Sequence, residues 1–318
     1  MVIKKVVVLG GGNGTSIVLR ALKAHTHHID LSAVISVADS GSSSGVLRKQ
    51  YGMIPPSDLM RAVIALSAYD HAILRDIFYK NRLEDGPLMG HSLGNLILAW
   101  AHRETHDIRN GIQALQTMVK AAGRVYPVST TPVDLCVELT DGTIVRGEGA
   151  IDEPAYDRSL RIAKAWLEPN GVVDDEARNV IESADAIILG PSSVYTSIIS
   201  TLLVGGVREA IDRSKASIVY VPSTYLPVDG ETGPTTLSGQ VSAIESALPR
   251  AIDSIVVNTQ RLAVDPRLHH DIRLEDYSKD VENLPTHHCV KEDLSDPTER
   301  MNLKKFGEVL MRIIASVS

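Results

Sequence analysis

The chain has 318 residues, 44% of them hydrophobic and 22% charged, with a formal net charge of −7 at pH 7. That length supports a substantial core in one or two domains, and the composition is that of an ordinary soluble globular protein. The acidic balance argues against a general nucleic-acid binder, and Cys136 and Cys289 are too few for a disulfide framework or a zinc cluster.

No apolar run approaches the roughly 20 residues that span a bilayer. The N-terminus enters a strand with no signal-peptide region, so a cytoplasmic protein is expected. Lys4 to Gly14 organises the rest. A valine-rich run from Ile3 to Leu9 suits a central parallel strand covered on both faces, and it stops at Gly10-Gly11-Gly12-Asn13-Gly14. Thr15 to Lys23 then spaces apolar residues as a helix does. Strand, glycine turn and helix let the backbone approach a phosphate at a helix N-terminus. A second strand over Leu31 to Val37 completes a βαβ unit, with Asp39 near the place of a ribose-binding acid. Ser40 to Gly45 reads as a hydroxyl-rich loop at the carboxyl edge of the sheet, suited to phosphate or sugar oxygens.

Pro55-Pro56-Ser57-Asp58 predicts a helix to about Tyr69, with Arg61 in its first turn, and a second helix follows over Ala72 to Asn81. Gly90 to Asn95 opens another, with His91 and Asn95 on one face. His102 and His106 share a helical face but have no third ligand, so exposed helix is favoured over a metal site. Around Asp141-Gly142 the period becomes two, predicting a hairpin and a small β insertion over about 123–152, a flap or a subunit contact. The α/β alternation resumes with a helix over Asp174 to Ser183 and a strand over Ala186 to Leu189. Gly190-Pro191-Ser192-Ser193 and a helix carrying Tyr195 follow, which reads as a second anion or sugar site. Strands over Ser217 to Val221 and Ser254 to Asn258 each end in polar loops, the first carrying Asp229 to Thr232. The pairs His269/His270 and His287/His288 read as solvated loop, and an amphipathic helix over Thr298 to Ala315 closes the chain. The economical account is one doubly wound, mostly parallel α/β domain of Rossmann-like fold over 1–318.

Thr15 stands where a dinucleotide fingerprint has a third glycine or alanine, and no Gly-Lys-Ser/Thr follows for a P-loop. The whole set of motifs resembles the bacterial gluconeogenesis factor family (YvcK-like proteins, UPF0052), in the 2-phospho-L-lactate transferase (CofD-like) superfamily. The matching residues are Gly10 to Gly14, Asp39 with Gly41 and Ser43 to Gly45, Pro55-Pro56 with Asp58, and Gly90 to Leu96. The match continues through Asp141 to Thr143 with Val145 to Glu148, Gly190-Pro191 with Ser193, Tyr195 to Ser197, and Gly230 to Thr232. It covers Val6 to about Asp253. Ser42, Ser57 and Ser192 replace family glycines, Leu59-Met60-Arg61 stands for Ile-Arg-Asn, and Pro222 to Tyr225 differs from an Asn-rich segment.

The resemblance implies a Rossmann-like protein that binds a nucleotide sugar such as UDP-N-acetylglucosamine. It further implies regulation of carbon metabolism, cell-wall precursor supply and cell shape, without an assigned catalytic residue. The expected ligand-binding set is Gly11, Gly12, Asn13, Gly14, Thr15, Asp39, Ser40, Ser43, Asp58, Arg61, His91, Asn95, Ser192, Ser193 and Tyr195. A homo-oligomer is expected. One alternative is a transferase of the phospholactate type acting on a nucleotide diphosphate, with Mg²⁺ on Asp39 and Asp58. A second alternative, an NAD(P) oxidoreductase, lacks an evident hydride-transfer site.

Overall fold

A computed structural model describes residues 3–223, 225–227, 230–259, 272–274, 280–284, 286–294, 296 and 301–316. Its strands are β1 (Lys4–Gly10), β2 (Ile29–Ile35), β3 (Arg124–Pro127), β4 (Asp134–Leu139), β5 (Ile144–Arg146), β6 (Ile162–Glu168), β7 (Ala186–Leu189), β8 (Ser217–Tyr220), β9 (Tyr225–Pro227), β10 (Ser254–Asn258), β11 (Ile272–Leu274) and β12 (His288–Glu292). Seven form one sheet in the order β12-β10-β8-β7-β1-β2-β3, parallel throughout. Val6 to Leu9 are at most 1% exposed, because helices cover both faces of this central strand. β1 pairs with β2 on one side and β7 on the other, so the chain winds outward in two directions from this point. In open parallel sheets the crevice beyond the carboxyl ends at such a switch point is where ligands bind. Both glycine turns, after β1 and after β7, lie there.

The first helices are α1 (Gly12–Lys23), α2 (Ser42–Tyr51), α3 (Ser57–Ala65), α4 (His71–Arg75), α5 (Leu93–Thr105), α6 (Ile108–Met118), α7 (Glu148–Asp152) and α8 (Asp175–Glu182). A π-helical turn, Asp76–Lys80, continues α4, so the single helix expected over 72–81 is two short pieces. The serine-rich stretch expected as a loop is instead the start of α2. Gly41 takes an extended conformation ahead of it, and its carbonyl accepts from the Gly45 N–H at 3.0 Å. β2 ends at Ile35, which leaves Asp39 in the connection to α2 rather than on the strand.

The β insertion sits later than 123–152. Arg124–Pro127 is an edge strand of the main sheet, and the antiparallel three-stranded sheet β5-β4-β6 spans Asp134 to Glu168. The Asp141-Gly142 hairpin is present, with Gly142 at φ +88° and Asp141 accepting from the Thr143 N–H. β6 lacked a clean alternation in sequence and is held by pairing to β4. Helices Val207–Ser214 and Leu237–Ala247 complete the outer layers, and the final helix runs Leu303–Ser316. His288 begins β12, and His287 shares a 2.9 Å hydrogen bond with Glu245, so this pair is not solvated loop. His269, His270 and Asp229 lie outside the described residues.

Candidate functional site

The first turn is built by close packing. Gly10 and Gly12 have φ of +143° and +69°, and the helix behind them starts at once. A Cβ on Gly14 would fall 1.3 Å from the Pro191 carbonyl oxygen, so the two glycine turns lie directly against each other. The Gly11 carbonyl accepts from Thr15 Oγ1 and from Ser192 Oγ, each at 2.9 Å, which ties the turns together. The Thr15 and Ser192 hydroxyls are therefore committed to the scaffold, and both side chains are buried. Asn13 is exposed in the first turn of α1.

Asp58 reaches this turn from α3. Its Oδ2 accepts from the Gly12 N–H at 2.8 Å while Oδ1 pairs with Arg61 Nη1 at 2.8 Å. A Cβ on Gly11 would meet that Oδ2 at 2.5 Å, so only glycine admits the carboxylate. Arg61, whose place in the motif departs from the family pattern, thus stands beside the acid, and its guanidinium lies over the Tyr79 ring at 5.9 Å. Arg61 Nε is buried without a protein partner.

Asp39 faces the same region. Burial raises its carboxyl above the ordinary range and the charge of Asp58 adds to this, while the Gly41 N–H, Ser44 and Arg61 pull the other way. Across from it stands Glu148 at the start of α7, carried by the β insertion. Glu148 Oε2 accepts from the Ser40 N–H at 3.4 Å, and Ser40 Oγ accepts from the Gly149 N–H at 3.0 Å. Burial, then Asp39 and Asp152, push the Glu148 carboxyl up to about 8. Ser40 is thereby the clasp between the insertion and the main sheet.

A second cluster holds hydroxyls. Asn95 is 1% exposed and donates from Nδ2 to Ser43 Oγ at 3.1 Å and to Ser57 Oγ at 2.9 Å. Ser43 also shares a 2.8 Å hydrogen bond with His91 Nδ1, and Ser44 with Ser57 at 2.5 Å. Asn95 Oδ1 is buried without a protein partner. Ser57 is a working member of this cluster.

Ser193 and Tyr195 belong to the second turn, where the geometry differs from expectation. The N–H groups of Val194, Tyr195 and Thr196 all donate to the Glu231 carboxylate, at 2.8 to 3.2 Å. The amides read as a second anion site are occupied by the chain's own side chain. Burial raises the Glu231 carboxyl, opposed by those amides. Glu148 and Glu231 lie in motifs that carry the family resemblance, yet like Ser44 and Ser57 they are absent from the expected ligand-binding set. Each glutamate follows a glycine in a short polar segment, Gly147-Glu148 and Gly230-Glu231, and apart from the resemblance that is the only local signal they carry.

Among the described residues no three His, Cys, Asp or Glu side chains converge as a metal-binding group, and no helix is long and apolar enough to cross a membrane. Fold and site together define a doubly wound α/β protein with hydroxyls and carboxylates gathered beside its switch point. A family model described as 2-phospho-L-lactate transferase CofD matches residues 6–292. A gluconeogenesis factor of Halalkalibacterium halodurans is 40% identical over 76% of this chain and 73% of its own length. That of Listeria innocua is 33% identical over 98% of this chain and 95% of its own. The crystal structure of a UPF0052 family member from Bacillus halodurans superposes with a TM-score of 0.87 at 32% identity, covering 98% of this chain and 99% of that one. The chain belongs to the CofD family, among its gluconeogenesis factor (UPF0052) members.

Proposed function

We propose that the crevice binds a nucleotide sugar, such as a UDP-sugar, and that the protein is a cytoplasmic, homo-oligomeric regulator of carbon metabolism and cell-wall precursor supply. The observation that carries this reading is the first turn at the switch point. The amides at the start of a helix have no intrahelical acceptor, and here Asp58 takes only the Gly12 N–H while its partner Arg61 brings a positive charge to the same turn. The pyrophosphate would sit on Gly11 to Thr15, with sugar or ribose hydroxyls toward Asp39, Ser40, His91 and Asn95. The unpartnered Asn95 Oδ1 and Arg61 Nε supply one acceptor and one donor in that region. Ser192 contributes by bracing the turn through its bond to Gly11 rather than by offering a free hydroxyl. The relatives' name, gluconeogenesis factor, supports the metabolic part. The test is a thermal-shift panel of UDP-N-acetylglucosamine, UDP-glucose, GDP and NAD, read on the parent chain. Stabilisation by a UDP-sugar above the others is expected, and no shift with any UDP-sugar overturns the reading.

One observation favours a second reading, a transferase acting on a nucleotide diphosphate. The charge of Asp58 adds to the cost of ionising Asp39, and such a hard oxygen pair suits Mg²⁺, which takes one or two carboxylates plus phosphate oxygens. The ion would neutralise phosphate charge there. Release of a nucleoside monophosphate from an activated donor, lost in Asp58→Asn, is the result this reading requires.

A further inference from the structure

Among the described residues, the segment from Tyr69 to Trp100 carries most of the large apolar side chains left in water. Ile73 is 62% exposed, Met89 65% and Trp100 61%, with Ile77, Leu88 and Leu93 at 46 to 49%. Neither α4 nor the π turn after it has a single buried residue, although the first carries Ile73 and Leu74 and the second Ile77, Phe78 and Tyr79. Ile73 and Ile77 are four apart on this helical stretch and Leu93 and Trp100 seven apart on α5, so each pair shares a face. The two elements meet where the Phe78 carbonyl crosses Gly94, whose added Cβ would lie 2.7 Å from that oxygen. The loop between them is pinned, since Leu83 N donates to His91 O and Gly90 N to Leu83 O.

We propose that this face is the contact surface between two copies of the chain, related by a two-fold axis. Three features select a second copy as the occupant. The first is area. A large side chain presents about 200 Å², and eight of them at roughly half exposure offer on the order of 800 Å², which is what each partner gives to a standard interface. The second is composition, because aromatic residues and Met are the groups that protein interfaces concentrate. The third is charge. Around the apolar residues stand local ion pairs, Arg75–Asp76, Lys80–Asp76 and Arg103–Glu104. Between residues 70 and 104 five acidic side chains balance four basic ones. A rim carrying both signs can complement itself across a two-fold axis, whereas a membrane surface selects a basic excess.

The same segment bears His91 and Asn95, so the contact borders the crevice and would form part of its wall. This proposal locates the interface of the homo-oligomer read above and is independent of which ligand binds. A parent chain that is monomeric while still stabilised by a UDP-sugar overturns the interface alone.

The experiment is sedimentation velocity on the full chain at micromolar concentration, comparing the parent, Ile73→Asp/Ile77→Asp, Met89→Asp and, as a control on α6, Met118→Asp. The parent is expected at twice 34.4 kDa. The double variant and Met89→Asp are expected to dissociate at least tenfold more readily with an unchanged circular dichroism spectrum, and Met118→Asp to remain dimeric. A monomeric parent, or a dimer that both interface variants leave intact, overturns the proposal. So does a parent that stays monomeric and floats with phosphatidylglycerol vesicles, which would assign the face to a membrane.

Discussion

The two glycine turns at the switch point begin alike and end differently. Each follows a buried parallel strand, each has a glycine at positive φ, and each leads into a helix. At the first, one carboxylate oxygen of Asp58 takes one amide, from the neighbouring helix α3. At the second, both oxygens of Glu231 take three amides, from a segment 35 to 37 residues further on. A strand–glycine–helix signature therefore marks a place where an anion is stabilised, without saying whether the anion is a ligand or a side chain. The Gly190 turn supports the Gly10 turn, and the contact between them is steric as well as hydrogen-bonded.

The largest effect expected is from Gly14→Ala, which forces a methyl group into the Pro191 carbonyl. Urea unfolding should show a loss of about 3 kcal/mol or more. Gly12→Ala is its counterpart, since the nearest atom to an added Cβ there is Ser197 Oγ at 3.8 Å. It should cost about 1 kcal/mol, from positive φ alone. Equal losses from the two would remove the claim that the turns are packed in direct contact.

Glu231→Ala leaves the Val194, Tyr195 and Thr196 amides without their acceptor and should cost about 2–3 kcal/mol. Sulfate should then raise the thermal midpoint of this variant more than that of the parent, because an added anion can take the vacated place. An identical response to sulfate in both proteins would show that the second turn is not an anion-stabilising site at all.

A pH series addresses the clasp beside the first turn. Glu148 in the folded protein titrates at about 8, well above its ordinary 4.5. The folded state binds the extra proton between these values. Its contribution to stability is thus complete below about pH 4.5 and is lost as pH rises through 8. The urea midpoint of the parent should fall between pH 5 and 9 relative to that of Glu148→Gln, which cannot titrate. The Gly149 amide, bonded to Ser40, should lose protection from hydrogen exchange over the same range relative to Glu148→Gln at each pH. Parallel curves for the two proteins would place the insertion's attachment elsewhere.

The smallest effect expected is from Ser192→Gly, which removes the donor to Gly11 O. About 1 kcal/mol of stability should be lost.

Much of the fold was legible locally. β1, β7 and β10 read as continuous apolar runs because both their faces are buried, and Asp141-Gly142 located its hairpin because the turn chemistry is specific. Arg124–Pro127 was assigned to the insertion since four residues carry no period that distinguishes an edge strand of one sheet from that of another. Only pairing with β2 decides it. The serine stretch read as a hydroxyl-rich loop, yet Ser43 and Ser44 are side-chain hydrogen-bond partners of Ser57, His91 and Asn95, which lie on other segments of the chain. At the candidate site Asp39, Asp58, Arg61 and Asn95 were identified from short motifs; Asp58 pairs with Arg61, Asp39 lies within reach of both charges, and Asn95 bonds the Ser43 and Ser57 hydroxyls. Glu148 was quoted only as part of the hairpin motif and not as a site residue, because its carboxyl meets Ser40 across 108 positions of chain.

By itself the sequence determined where the backbone turns sharply and which strands are buried on both faces. Positive φ and apolar periodicity are properties of a few neighbouring residues. Tertiary structure decided what the turns hold. Asp58 at the first, Glu231 at the second and the Glu148–Ser40 clasp are contacts between segments that only the wound sheet brings together. The exposed apolar face of α4 and α5 is decided at that level too, since burial depends on what the rest of the chain leaves uncovered.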